Sequence, residues 1–465
     1  MTPADLVVVL PGIMGSQLRQ DGHLVWGPSA GSALRAITSF GRSIKRLQLP
    51  GGIADDHPGD GVEPAGIMPD LHLLPGIWTP VKGYDLLLGR LRSLGYREIS
   101  ADPAAPPGNL LPLGYDWRLS SRRTGQWIGT IIEPALERWR AQGGPYADAR
   151  LIFVCHSMGG LAARWYIEHC GGAAITRKLI TLGTPYRGAA RSLEQLINGV
   201  HKGLGPVAVD LTRFARSLPS LYQLLPEYAC IEHRSDLAKT TEIKIPELDI
   251  TMTADAMRFH TQLRQAEEAR PGSLTTTHAI AGIRQPTTTT IRISSGRALP
   301  LDTYRGEDLA GDATVPIVGA CRADVPMDSP ALRRVPDKHG NLQRNRAALD
   351  ELEGILTARP VVVRGTRTID AAVEVPELVF AGEAVPIRVH LADDHRAAAR
   401  VTVTDESGRI IVARATRPPT TTSIDGLAPG AYTIDVTGIE PASAITPVSS
   451  TILIWDAERN PDADN

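Results

Sequence analysis

The feature that most constrains this chain is a serine placed between a short apolar run and a helix that begins with two glycines. Residues 150–155 predict a buried strand, and residues 159–170 predict a helix. The connecting segment, Cys155-His156-Ser157-Met158-Gly159-Gly160, therefore has to turn sharply. Such a turn holds a serine in a strained backbone geometry and exposes its hydroxyl above the sheet. We predict that Ser157 is a nucleophile, with a purely structural turn serine as the alternative.

Strand and helix patterns alternate through the first three quarters of the chain, which predicts an α/β fold with a doubly wound, mostly parallel sheet. The predicted elements are strands at 6–10, 110–117, 150–155, 179–182 and 278–283, helices at 84–94, 124–142, 159–170 and 341–356, and a hairpin partner for the last strand at 287–294. Residues 191–250 interrupt this alternation with helical pieces. Because an insertion between strands lies above their carboxyl ends, this segment predicts a helical cap, with an ordinary helical layer as the alternative.

The composition changes after Arg359, where short strands follow one another at regular spacing without any helical pattern. We therefore predict two domains, a catalytic domain at 1–359 (cap about 191–250) and an all-β immunoglobulin-like sandwich at 360–465. The sequence leaves open whether the sandwich is a docking module, with its protein partner unknown, or a passive cover.

Charge and cysteine usage exclude some classes of function. The net charge is −2 and no basic stripe is present, so nucleic-acid binding is not expected. The four cysteines form no metal-binding spacing and no disulfide framework. With no signal peptide and no apolar stretch of the ~18 residues that a membrane span needs, we expect a cytoplasmic protein, with peripheral membrane contact as an open alternative.

A serine nucleophile needs a base, and the base needs a carboxylate that orients it. In sheets of this kind the chain order is serine, carboxylate, histidine. Asp312 lies in a glycine-bounded loop and His339 lies just before a helix, so these two are our candidates. Other residues of the right type remain as rivals at this point: Asp308, Asp324, Asp328, Asp337, His260 and His278. His156 is expected to be a packing residue of the turn and not the base.

The oxyanion of a tetrahedral intermediate needs two backbone N–H donors. We expect one from Met158, directly after the nucleophile, and the other from Ile13 in the glycine turn that follows the first strand, although that turn has a simple structural explanation as well. Three tryptophans are candidates for lining an acyl groove, with ordinary packing as an equal alternative: Trp26, Trp78 and Trp117.

Several segments together resemble the lecithin:cholesterol acyltransferase family, which includes phospholipid:diacylglycerol acyltransferase and belongs to the α/β-hydrolase superfamily. They are Leu10–Leu18, Tyr115-Asp116-Trp117-Arg118, His156–Gly160, Gly183-Thr184-Pro185, Gly311-Asp312-Ala313-Thr314-Val315-Pro316 and His339–Leu342. The resemblance, to a bacterial-type member, implies Ser157, Asp312 and His339 as a triad and Ile13 and Met158 as oxyanion donors. Cys155 departs from the usual pattern of a nucleophile turn, which has glycine at that place. The chain departs from the family in having no cysteine before Cys155 for the disulfide-closed lid of animal members, in the sandwich after residue 360 and in the missing secretion signal.

The sequence therefore predicts a serine-dependent lipid acyl hydrolase or O-acyltransferase that acts on an ester lipid, preferably a phospholipid, through an acyl-Ser157 intermediate. This chemistry needs no metal and no cofactor. Two further hypotheses remain open. One is a catalytically inactive hydrolase fold that binds a lipid or a protein, and the other makes the sandwich the functional part.

Overall fold

The computed structural model describes residues 3–27, 47–69, 83–100, 105–202, 209–271, 275–329, 331–357, 369–392, 397–439 and 445–455. Within these ranges, six parallel strands form the central sheet in the order β6-β5-β4-β3-β1-β2. The strands are Leu6–Leu10 (β1), Leu110–Pro112 (β2), Leu151–His156 (β3), Thr176–Leu182 (β4), Thr276–Ile283 (β5) and Leu332–Pro336 (β6). The chain winds outward in both directions from β1 and β3, which places a topological switch point between these two strands.

Each face of the sheet has its own hydrophobic core, as β1 shows. Leu6, Val8 and Leu10 face one core, whereas Val7 and Val9 face the other. All five side chains are fully buried, and burial of such side chains stabilises a fold by roughly 1.5–3 kcal/mol each. A continuous apolar strand is required here because a parallel sheet is covered on both faces.

Helices cover both faces. In the described residues they are Asp85–Ser93 (α1), Ser121–Arg140 (α2), Gly159–His169 (α3), Ala190–Asn198 (α4), Thr212–Ser217 (α5), Pro219–Tyr222 (α6), Ile250–Ala269 (α7) and Arg346–Thr357 (α8). The buried side chains of α1 and α8 belong to one core, and those of α2, α3 and α7 belong to the other. Local sequence fixes some of the helix ends, since Ser120 caps α2 and Asp249 caps α7 through their side-chain oxygens.

The insertion after β4 contains the helical pieces that its sequence predicts, together with a short hairpin formed by Ile231–His233 and Asp236–Ala238. The predicted pairing of residues 287–294 with β5 is wrong. Thr290–Ser294 instead pairs with Arg297–Leu301 and extends the sheet of that hairpin. The strand predicted at 110–117 is shorter than expected and ends at Pro112. Beyond its end, a Cβ atom at Gly114 would lie 2.3 Å from the carbonyl oxygen of Gly66, so this position requires glycine.

Two other parts of the chain form further sheets, the segment between β1 and β2 and the region after α8. Near the N-terminus the antiparallel strands Ser16–Gln20, His23–Trp26 and Val62–Ile67 form a small sheet. In the C-terminal region a sheet of three strands and a sheet of five strands enclose one hydrophobic core between them, as in a β-sandwich. Their strands are Ala371–Glu374, Leu378–Phe380, Val385–Leu391, Ala399–Asp405, Ile410–Thr416, Thr420–Ile424, Gly430–Gly438 and Val448–Trp455.

No helix in the described ranges combines the length and the apolar composition that a membrane span needs.

Candidate active site

Ser157 lies at the carboxyl end of β3, at the switch point of the sheet, and adopts the left-handed backbone conformation with a φ of 52°. Its N–H donates to the carbonyl of Leu182 at 2.9 Å, and its own carbonyl accepts from the Thr184 hydroxyl at 2.8 Å. This conformation is energetically unfavourable for a serine, so the neighbouring structure has to hold it. Both contacts come from residues at the end of β4, and they hold the turn at Ser157 in place.

Glycine is required at two positions after the serine because the chain is crowded there. A Cβ atom at Gly159 would lie 2.4 Å from the carbonyl oxygen of Pro11, and one at Gly160 would lie 2.2 Å from the Thr184 hydroxyl. Cys155 occupies the place where a nucleophile turn usually has glycine. The strand accommodates its fully buried side chain in register with Leu10.

The structure brings Ser157, His339 and Asp312 together. His339 Nε2 lies 2.8 Å from Ser157 Oγ, and His339 Nδ1 lies 2.7 Å from Asp312 Oδ2. Because a carboxylate only accepts hydrogen bonds, Nδ1 carries the ring proton, which leaves Nε2 free to accept the proton of Ser157. All three side chains are buried. This is the arrangement in which a histidine activates a serine hydroxyl.

Backbone amides hold the carboxylate of Asp312 in place. Asp312 Oδ1 accepts from the N–H groups of Thr314 at 3.0 Å and Val315 at 2.6 Å. The backbone carbonyl of Asp312 also accepts from the N–H of His339 at 2.7 Å. The loop of the acid and the loop of the base are thus joined by their main chains as well as by their side chains.

His156 and Tyr84 form a second series of hydrogen bonds, next to the one that joins Ser157, His339 and Asp312. His156 Nε2 lies 3.0 Å from the carbonyl oxygen of His339, and His156 Nδ1 lies 2.9 Å from the Tyr84 hydroxyl. Burial, with the neighbouring His339 as a second cause, lowers the pKa of His156 to about 3. The imidazole is therefore neutral, and it donates from Nε2 because a carbonyl can only accept.

The direction of these hydrogen bonds follows from that tautomer. Nδ1 of His156 has to accept, so the Tyr84 hydroxyl donates to it and accepts in turn from the N–H of Gly12 at 2.9 Å. This series of hydrogen bonds links the glycine turn after β1 to the backbone of His339. The sequence motif includes His156 but offers no signal for Tyr84, which precedes α1 without any pattern around it.

The amides of Ile13 and Met158 are the expected oxyanion donors. Within the described residues neither N–H donates to another backbone group, whereas the preceding Gly12 N–H is bound to Tyr84. Ile13 lines the cavity beside Ser157, and Met158 directly precedes the first turn of α3. Free amides at these two positions have the chemistry that an oxyanion needs, and their role stays a prediction.

A small cavity opens at Ser157 and His339. Apolar side chains form much of its wall, including Ile13, Pro185, Leu224 and Val315. Arg191, from the first turn of α4, also reaches this wall. The insertion after β4 thus lines part of the cavity at the nucleophile, and its assignment as a cap stays a prediction.

Two of the three tryptophans proposed for an acyl groove lie within the described residues, and they pack against each other. Trp26 and Trp117 are buried and pack edge to face with a centroid separation of 5.3 Å. Trp26 donates its indole N–H to the carbonyl of Met14 at 2.9 Å, so it supports the turn that carries Ile13. Trp78 lies outside the described residues. Contact of the three with a substrate stays a prediction.

The rival residues lie elsewhere or have other partners. Asp337 accepts from the side chains of Asn341 and Asn345, Asp324 pairs with Arg322, and Asp308 and Asp328 are exposed. His260 is buried in α7 and His278 lies within β5. Neither histidine lines the cavity at Ser157.

A comparison with family models gives one result for this chain. Residues 83–278 match the lecithin:cholesterol acyltransferase family. The lecithin:cholesterol acyltransferase match begins just before α1, includes Ser157 and ends within β5. It confirms the resemblance predicted from the sequence motifs and supports a lipid acyl hydrolase or acyltransferase activity. Asp312 and His339 lie outside the matched range. A search of curated proteins gives no match.

Solved structures similar to this chain include the lipase BlEst2 of Bacillus licheniformis. The mature form is 12% identical over 76% of this chain and 93% of that chain, with a TM-score of 0.36. The propeptide form is 11% identical over 97% and 93%, also with a TM-score of 0.36. The CARDB domain of the PF1109 protein from Pyrococcus furiosus is 14% identical over 19% and 90%, with a TM-score of 0.15. Because these TM-scores are low, the fold described above rests on the strand order of this chain.

Proposed function

We propose that this protein is a serine-dependent lipid acyl hydrolase or O-acyltransferase that acts on an ester lipid through an acyl-Ser157 intermediate. The observation that carries the proposal is the pair of distances at His339, 2.8 Å to Ser157 Oγ and 2.7 Å to Asp312 Oδ2. The backbone conformation of Ser157 and the match to the lecithin:cholesterol acyltransferase family support the same chemistry.

In the first half of the reaction Ser157 Oγ attacks the ester carbonyl while His339 Nε2 takes the hydroxyl proton. Asp312 stabilises the imidazolium that forms, since its carboxylate already accepts from Nδ1. The negative charge on the carbonyl oxygen is stabilised by the N–H groups of Ile13 and Met158. The tetrahedral intermediate then collapses, the carbon–oxygen bond to the alcohol breaks, and His339 returns the proton to the leaving alcohol.

In the second half an acceptor cleaves the acyl-enzyme by the same steps in reverse. His339 removes a proton from the acceptor, and the acceptor oxygen attacks the acyl carbon. The bond from that carbon to Ser157 Oγ then breaks, and His339 returns the proton to Oγ. Water as acceptor gives a free fatty acid, whereas a lipid alcohol gives a new ester. An apolar cavity wall favours an alcohol acceptor to the extent that it excludes water.

A phospholipid is the acyl donor that we favour. The lecithin:cholesterol acyltransferase match points to this class, and Arg191, which also pairs with Glu377 at 3.4 Å, places a guanidinium group at the cavity wall. A guanidinium group binds phosphate oxygens well. A triacylglycerol offers Arg191 no phosphate, so the two lipid classes should be used at different rates.

Mass spectrometry of lipids incubated with the protein tests this proposal. Vesicles of phosphatidylcholine and emulsions of triacylglycerol would be treated with wild-type protein, with and without an added long-chain alcohol, and Ser157→Ala would serve as the control. Free fatty acid alone identifies a hydrolase, and an ester of the added alcohol identifies a transferase. If Ser157→Ala releases acyl chains as fast as wild type, or if wild type releases none from either lipid, the proposal fails.

A further inference from the structure

The C-terminal sandwich contacts the segment that carries the candidate base. We call residues 337–345 the base loop. Asn341, two residues after His339, donates from Nδ2 to the carbonyl of Ser449 at 2.7 Å. Lys338, directly before His339, donates from Nζ to the hydroxyl of Ser450 at 3.0 Å. Both serines lie in the strand Val448–Trp455 of the five-stranded sheet, so one strand binds the base loop on both sides of His339.

The same sandwich contacts the segment that carries the candidate acid. We call residues 311–316 the acid loop. Gln285 exchanges backbone hydrogen bonds with Gly311 at 3.0 Å and 3.2 Å, and its side-chain Nε2 donates to the carbonyl of Ala371 in the three-stranded sheet at 3.1 Å. Arg191 donates to the carbonyl of Ala313 at 3.3 Å and pairs with Glu377 at 3.4 Å.

Hydrogen bonds inside the base loop connect the residues that the sandwich binds to the backbone around His339. Asp337 Oδ1 accepts from Asn341 at 3.0 Å, and Asp337 Oδ2 accepts from Asn345 at 2.9 Å. Asp337, His339 and Asn341 are all buried. Polar groups at such positions need partners, because a buried donor or acceptor left without one costs about 1–3 kcal/mol. The side chain of Asn341 therefore has one orientation that satisfies both Asp337 and Ser449.

We infer that the sandwich is a positioning element for the candidate triad: the strand Val448–Trp455 holds the base loop through Asn341 and Lys338, while Ala371 holds the acid loop through Gln285. This inference rests on the proposed function, because it assigns the sandwich a part in the same reaction. A purely passive cover behaves differently, because the loss of a single polar contact between it and the catalytic domain would leave the reaction rate unchanged. Small displacements matter at such a site, since a shift of about 1 Å is able to lower a rate by about 100-fold.

Substitutions on the sandwich side test this inference without touching the triad. Ser450→Ala removes the acceptor of Lys338, and Ser450→Thr keeps a hydroxyl at the same place. Ser449→Ala is the matched control, because the Ser449 side chain binds Asp435 within the sandwich while its backbone carbonyl still accepts from Asn341. On the base-loop side, Asn341→Ala removes the second link together with the hydrogen bond from Asn341 to Asp337. The readouts are kcat and KM for a soluble short-chain ester and the rate of labelling by a fluorophosphonate.

We expect Ser450→Ala and Asn341→Ala to lower kcat and the labelling rate about 10-fold with little change in KM, because the misplaced base affects the chemical step more than binding. Ser450→Thr should restore wild-type values, and Ser449→Ala should retain them. Unchanged kcat in Ser450→Ala, with an active wild type, would overturn the positioning role alone, whatever Asn341→Ala shows, because Asn341 also binds Asp337 within the base loop. Wild-type protein that neither turns over ester nor reacts with the probe would overturn the proposed function as well.

Discussion

His339 Nε2 lies 2.8 Å from Ser157 Oγ, although the two residues are 182 positions apart in the chain. The parallel sheet explains this meeting, because Ser157 follows β3 and His339 follows β6, and parallel strands direct their carboxyl ends toward one edge. Hydrogen bonds that do not involve the reacting atoms then hold the backbone around both residues.

The tautomer of His339 depends on the charge of Asp312. In Asp312→Asn the amide oxygen replaces Oδ1 as acceptor for Thr314 and Val315, so the amide NH₂ faces His339 Nδ1. Nδ1 then has to accept, Nε2 carries the proton, and the imidazole is unable to take a proton from Ser157. We expect kcat for an ester substrate to fall about 10⁴-fold. Asp324→Asn is the control carboxylate and should stay within about twofold of wild type; an equal loss in both variants would contradict the assignment.

The hydroxyl of Tyr84 satisfies two buried groups at once, the N–H of Gly12 and Nδ1 of His156. Tyr84→Phe leaves both without this partner. Because an unsatisfied buried polar group costs about 1–3 kcal/mol, we expect the free energy of unfolding to fall by about 2–4 kcal/mol. Denaturant titration measures the change. Tyr96→Phe is a matched control, since the buried Tyr96 hydroxyl forms no hydrogen bond with another residue of the described ranges. Equal stability of both variants would refute the role of Tyr84.

The close approach of the glycine turn to the nucleophile predicts a contrast between two glycines. A Cβ atom at Gly12 would lie 2.8 Å from Ser157 Cβ, whereas one at Gly89 on α1 meets no atom within 4 Å. Gly12→Ala should lower the rate of ester hydrolysis by about 10-fold or more, because it displaces Ser157 from its base. Gly89→Ala should raise the free energy of unfolding by about 0.5–1 kcal/mol through helix propensity. Full activity of Gly12→Ala would show that the turn has more room than its contacts indicate.

Buried neutral histidines predict loss of stability in acid. Burial lowers the pKa of His156 to about 3 and that of His260 to about 4, from an ordinary value of 6.5. Below pH 6.5 the unfolded chain binds protons that the folded chain does not, so the free energy of unfolding decreases as the pH falls toward these values. The two residues together contribute a slope of about 2–3 kcal/mol per pH unit.

Denaturant titrations between about pH 6.5 and about pH 5 measure this slope before most carboxylates titrate. His260→Leu should reduce the slope, because one of the proton-binding differences is removed; His278, whose pKa burial also lowers to about 4, keeps its own contribution. A free energy of unfolding that stays constant over this window would show that His156 and His260 bind protons in the folded state.

Sequence patterns that repeat locally predicted much of the fold. The apolar run at 6–10, the helix at 84–94 and the elbow at 155–160 follow from neighbouring residues alone. Pairing of distant segments was harder to predict. The strand Thr290–Ser294 has partners at 297–301 and 231, and no periodicity in the sequence favours these over β5.

The candidate site divides in the same way. Ser157, Asp312 and His339 occur in motifs whose order in the chain suggested that they meet. Tyr84 and Ser450 occur in no motif, and they contact the site across 72 and 112 positions of sequence. Contacts of this kind depend on the packing of whole elements, here α1 against the sheet and the sandwich against the base loop, so a single sequence does not reveal them.

The central claim is that His339 makes the hydroxyl of Ser157 reactive, and covalent labelling with a fluorophosphonate tests it most directly. Intact-protein and peptide mass spectrometry would follow the adduct in wild type, Ser157→Ala and His339→Gln, with folding of each variant checked by circular dichroism. We predict a single adduct on Ser157 in wild type, none in Ser157→Ala, and a labelling rate at least about 10³-fold lower in His339→Gln. Wild-type protein that stays unlabelled, or His339→Gln that reacts at the wild-type rate, would contradict the claim.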